Sequence, residues 1–195
     1  KPCMAIGRVN ASPEQIRRML LGLAIVNQYP LDAVRRLVAD GAALDFPERW
    51  WRNNRDTPLM LAAPYPDIAA LLIEAGANVN APNSFGKTAL MYAVQERQPE
   101  TVSRLLAAQA NVEAVTEENV FCSALRAGKR TALMYAAWQG TPEIIRLLVE
   151  AKANLAAQDT NGDIARDYLG ENEHLSSRER EAMKLLLTPP ATATP

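Results

Sequence analysis

The side chains that offer chemistry in this sequence are few, and their spacing serves little of it. The sole histidine, His174, lies in GENEHLSS, with no serine or cysteine spaced to make it the base of a triad. One imidazole cannot build a zinc site of several histidines. Two cysteines exclude a four-thiolate zinc or iron–sulfur centre and a disulfide-dense scaffold. Cys3 and Cys122 pair only if the N-terminal arm folds back along the chain; otherwise they are two separate thiols. Glu117 and Glu118 are adjacent rather than set apart as acid and base. Residues 127–131, AGKRT, hold a G-K-x-T fragment without the first glycine or the spacing of a phosphate-binding loop. The expectation is a chain that is not an enzyme, with no catalytic residue, no metal site and no cofactor.

Recognition chemistry is better represented. Aromatic residues and arginine dominate binding hot spots, which singles out Trp50, Trp51 and Arg52. Neighbours in an extended segment point opposite ways, so one of the two tryptophans is expected to pack beneath its loop. The 195 residues carry 21 basic and 22 acidic side chains, and a net charge of −1 gives no global attraction to nucleic acid or anionic lipid. The apolar stretch from Met19 to Val26 is far shorter than the ~20 residues of a spanning helix, so no membrane insertion is expected. The chain begins at Lys1 rather than Met, which suggests that something upstream was removed. A periplasmic location after signal removal and a cytoplasmic one both stay open. Abundant alanine, and arginine in excess of lysine, suggest a bacterial source.

The elements that position these residues repeat. Thr57 opens TPLMLAA, Thr88 opens TALMYAV and Thr131 opens TALMYAA, spaced by 31 and 43 residues. Each leads into a second apolar run: IAALLIEAGANVN from Ile68, VSRLLAAQANVE from Val102 and IIRLLVEAKANLAAQD from Ile144. Threonine can cap the free N–H groups of a helix start, and Pro58 sits where its missing N–H costs nothing. The pairs Ala62, Ala63 and Ala136, Ala137 let helices approach closely. The leucine pairs at 71–72, 105–106 and 147–148 face the junctions between units. Gly41 and Gly76 end helices in the left-handed conformation, where Gln109 and Lys152 stand in the matching positions at roughly 1 kcal/mol of cost each. Upstream, DAVRRLVADGAALD from Asp32 matches the second half of a unit, and Ile164 in GDIARDYL opens a divergent last one.

With its recurring T-[PA]-L, A-A, L-L and G-A-N-V-N, the sequence resembles the ankyrin-repeat family over residues 12–187. The resemblance implies an all-α solenoid of about five stacked helix–turn–helix units with loop fingers, the end units atypical. Boundaries fall near 12–54, 55–85, 86–128, 129–161 and 162–187, with an arm at 1–11 and a tail at 188–195. The first helix should start at Pro13 behind Ser12 and run to about Asn27; the last should span residues 177–187. Where the family carries histidine after T-P-L, this chain has Met60, Met91 and Met134, which replaces a polar network with apolar packing.

The resemblance also implies a function: binding a partner protein through a concave groove lined by finger tips and first helices, by a monomer. Carried over to this chain, that face takes Trp50, Trp51, Arg52 and Asn54 from the first finger, and Ser84, Phe85 and Lys87 from the second. The long third finger contributes Phe121, Lys129 and Arg130, and the last contributes Asp159, Asn161 and Asp163. Tyr65, Gln95, Glu96, Trp138 and Gln139 come from the first helices. Residues 44–56 run about four longer than the matching 79–87, and 112–130 about ten longer. Long loops in a compact repeat are often functional. An inhibitor or immunity-type protein that blocks a toxin or enzyme is the narrower alternative. An enzyme or nucleotide-binding protein using the loop residues is the other.

Overall fold

The computed structural model describes residues 13–45, 54–117 and 128–189. Trp50, Trp51, Arg52, Phe121 and both cysteines lie outside them. Among the described residues the chain is helical, with no strands.

Helices α1 (Pro13–Val26) and α2 (Leu31–Ala39) form the first pair, α3 (Pro58–Leu61) and α4 (Pro66–Glu74) the second, α5 (Ala89–Gln95) and α6 (Pro99–Ala107) the third. Helices α7 (Ala132–Gln139) and α8 (Pro142–Glu150) form the fourth. The last pair is a short 3-10 helix, Ala165–Glu171, followed by α9 (Ser177–Leu186). First helices stack in one row, α1 on α3 on α5 on α7 on the 3-10 helix. Second helices stack in another, α2 on α4 on α6 on α8 on α9. This is the all-α solenoid that the repeats implied.

Local chemistry explains several of the helix starts. Thr57 and Thr131 accept from the backbone N–H groups of Met60 and Met134, so both threonines cap as expected. Thr88 differs: its hydroxyl is buried without a partner, and α5 begins without a side-chain cap. At α3 the Met60 sulfur accepts from Thr57 N–H at 3.4 Å, so methionine there keeps one polar contact besides its packing. Each of α4, α6 and α8 opens on proline, whose absent N–H needs no partner in a first turn.

The core runs the length of the stack. Leu59, Leu90 and Leu133 of the first helices are buried, as are Leu72, Leu105 and Leu148 of the second. One leucine of each expected pair thus takes the fully enclosed place, while Leu106 and Leu147 are only half-buried. Ala62, Ala63, Ala93, Ala136 and Ala137 are almost wholly enclosed where first helices meet, and larger side chains would part them. Thr101 occupies the place of Ile68 and Ile144, and its hydroxyl has no partner.

The turns after the second helices are left-handed. Gly41 and Gly76 have φ of 79° and 90°, and Gln109 and Lys152 both adopt 62° without the freedom of glycine. Asparagines then direct the chain outward. Asn78, Asn111 and Asn154 each accept from the N–H two residues on. Their own N–H groups donate to a carboxylate or amide oxygen of the preceding unit: Asp45, Asn80 and Glu113, at 2.6 to 2.7 Å. At the far end, fully buried Asn172 donates to the carbonyls of Ala137 and Gly140, closing α7.

Candidate functional site

The fingers bond to one another through their backbones. Ser84 N–H donates to Asn54 C=O at 2.8 Å, Glu117 N–H to Phe85 C=O at 2.9 Å, and Thr160 N–H to Gly128 C=O at 3.1 Å. The second, third and last fingers are also closed internally. Asn83 Oδ1 accepts from the N–H groups of Phe85 and Lys87, and Asp159 Oδ1 accepts likewise from Asn161 and Asp163. In the third finger, Thr116 Oγ1 accepts from Arg130 N–H across the long insertion. Gly86 sits where fingers touch: its φ is 69°, and a Cβ would lie 2.8 Å from Glu117 N and Val115 O.

This stacking places the residue before each helix-opening threonine in one column, as Asp56, Lys87 and Arg130. The residue four after that threonine, Tyr92 or Tyr135, faces it, and Tyr168 is the last of the series. Tyr92 and Asn83 both donate to Asp56 Oδ1 at 2.7 Å. The Lys87 ammonium lies 4.9 Å from the Tyr135 ring centre and 5.7 Å from that of Tyr92, and donates to Gln95 Oε1 at 3.0 Å. The Arg130 guanidinium lies 5.4 Å from the Trp138 ring and 5.1 Å from that of Tyr168. Its Nε donates to the Tyr168 hydroxyl at 3.2 Å, which donates in turn to Asp159. Cation and ring faces thus alternate along the column.

Burial sets the charge states here. Desolvation pushes Lys87 below the ordinary lysine value; Asp56 partly offsets this, and Arg130 adds to it. Burial also raises Tyr135, against the pull of Arg130. Tyr168 is pushed up to about 12, first by burial and then by its bond to Asp159.

Of the residues expected on this face, Asn54, Phe85 and Lys87 come together around a cleft of about 280 Å³, with Tyr92, Thr116, Glu117 and Tyr135. Gln95 joins through Lys87. Glu96 is exposed and lines a smaller cleft of about 160 Å³ beside Asn54 and Asp56. Trp138 is half-buried, 6.4 Å from Tyr135 between ring centres, and Gln139 follows it, half-buried, at the end of α7. Arg130 and Asp159 are buried within the column, while Asn161 is exposed at the last finger. Tyr65 stands apart as the residue before α4, packed against the core. Asp56, Asn83, Tyr92, Thr116, Tyr135 and Tyr168 build the face without having been singled out by residue type. Their signal was positional: tyrosine recurs four residues after the unit's opening position at 92, 135 and 168.

Among the described residues, no group of three or more histidine, cysteine, aspartate or glutamate side chains is arranged to hold a metal ion. No helix among them is long and apolar enough to cross a membrane.

The family pattern for ankyrin repeats, in three copies, matches residues 21–116, and a single ankyrin-repeat pattern matches 128–160. No curated protein matches the chain significantly. The matched stretches embrace the second, third and fourth helix pairs, most of the first pair and the left-handed turns after the second helices, and on that evidence the chain belongs to the ankyrin-repeat family.

Proposed function

We propose that this chain is a non-catalytic interaction module that grips a partner protein across its fingers and first helices. Members of the family generally mediate protein–protein interaction. The observation that carries the reading is the cleft between the second and third fingers. There half-buried Phe85 and Tyr92 offer aromatic surface beside Lys87, with buried Tyr135 as the inner wall, on a backbone already fixed by finger-to-finger bonds. Such preorganisation lowers the ordering cost of association. Trp50, Trp51 and Arg52 extend the same proposal along the first finger.

A photo-crosslinking amino acid placed at Phe85, and separately at exposed Ser103 on α6, tests this in cells of the source organism. Adducts of defined mass are expected from position 85 and not from 103. Equal labelling from both, or none from 85, overturns the proposal.

A further inference from the structure

Among the described residues, Lys87 makes no salt bridge. Its ammonium has three donors, and one is used, on the neutral amide of Gln95. Among the described residues no carboxylate oxygen comes within 4.0 Å of it. Asp56, the carboxylate that acts on it electrostatically, has its Oδ1 committed to Asn83 and Tyr92. The next charge along the column, Arg130, has the same sign. Two ring faces, of Tyr92 and Tyr135, flank the ammonium. In front of it lies the cleft of about 280 Å³, large enough for a side chain and rimmed by Phe85 and Thr116.

A partly desolvated ammonium held this way costs the free protein stability, and an incoming carboxylate recovers that cost through a charge-assisted bond. We propose that the Lys87 cleft is a receptor for a carboxylate of the partner polypeptide, seated on Lys87 with its methylene stem between Phe85 and Tyr135. This rests on reading the finger face as the partner site and adds the chemistry of what enters it. Exposed Glu117, also on the rim, disfavours a second negative charge beside the first, so the pocket takes one acidic group rather than an acidic run.

The test selects binders from a random peptide display library on the immobilised full chain. Synthetic versions are then titrated calorimetrically against wild type, Lys87→Met, Lys87→Arg and Phe85→Ala. Recurrent Asp or Glu is expected in the selected peptides. Changing it to Asn or Gln should weaken binding about tenfold, as should Lys87→Met, and the two losses should not add. Lys87→Arg should keep most of the affinity. A peptide that loses affinity only on C-terminal amidation, and not on the Asn or Gln change, overturns the assignment of an acidic side chain as the occupant. Peptides that require Phe85 yet bind Lys87→Met within twofold overturn the carboxylate assignment and leave the face reading standing. Peptides indifferent to Phe85, or no binders at all, overturn both.

Discussion

Tyr168 donates its hydroxyl to Asp159, a carboxylate only 5% exposed, and the same hydroxyl accepts from Arg130 Nε at 3.2 Å. One phenol thereby satisfies a buried acid and a buried base from neighbouring fingers. Tyr168→Phe leaves both short of a partner. It should cost about 1–3 kcal/mol, a fall of several degrees in melting temperature by calorimetry. The alkaline behaviour gives a second check. The folded hydroxyl titrates near 12 and the unfolded one near 10.0, so the unfolded chain releases its proton first. The stability that neutral Tyr168 supplies is complete below pH 10.0 and declines as pH rises toward 12. Tyr168→Phe should lack that decline; an identical alkaline limb would show that the hydroxyl titrates normally.

Gly76 and Gly86 are both left-handed, yet only Gly86 touches the next finger. At Gly76 an added Cβ meets nothing within 4 Å, so Gly76→Ala should cost roughly 1 kcal/mol of backbone strain. At Gly86 it meets two backbone atoms at 2.8 Å, which cannot yield without opening the finger stack. Gly86→Ala should cost about 2 kcal/mol more than Gly76→Ala in denaturant titrations. Equal losses would mean that the finger contact contributes nothing.

Thr101 carries a hydroxyl into a position that Ile68 and Ile144 fill with carbon. The group has no partner and is enclosed, so Thr101→Val should stabilise by about 1 kcal/mol, raising the melting temperature by a few degrees. A lower melting temperature would reveal a bond to the hydroxyl.

Lys87→Met separates stability from binding. Near neutral pH the folded chain bears the cost of a desolvated ammonium, so the variant should melt at or above the wild-type temperature, by about 1–3 °C. Wild-type stability should rise as pH climbs from the lowered folded value toward 10.5, where the unfolded lysine still holds its proton. The variant should lack that rise. A melting temperature several degrees lower would show that the ammonium stabilises the fold through its ring contacts.

The sequence by itself determined the architecture. Repeated T-x-L starts, buried leucines and turn residues are local requirements, each met within one unit, so the helix pairs and the left-handed Gln109 and Lys152 were legible before any coordinates. The divergence of the last unit was also visible at Ile164, although its collapse into a 3-10 helix was not. What only the tertiary structure decided is which polar residues face outward. Asp159 and Asn161 are two positions apart in one finger, and one is buried under Tyr168 while the other is exposed. Arg130 was expected at the surface and lies instead between Trp138 and Tyr168, whereas Lys87, its counterpart one unit earlier, is left with an open cleft. The difference is not in the residues themselves, since both are cations preceding a threonine. It arises because each finger is covered by the next unit, so burial and pairing depend on neighbours about one repeat away, which no local pattern records.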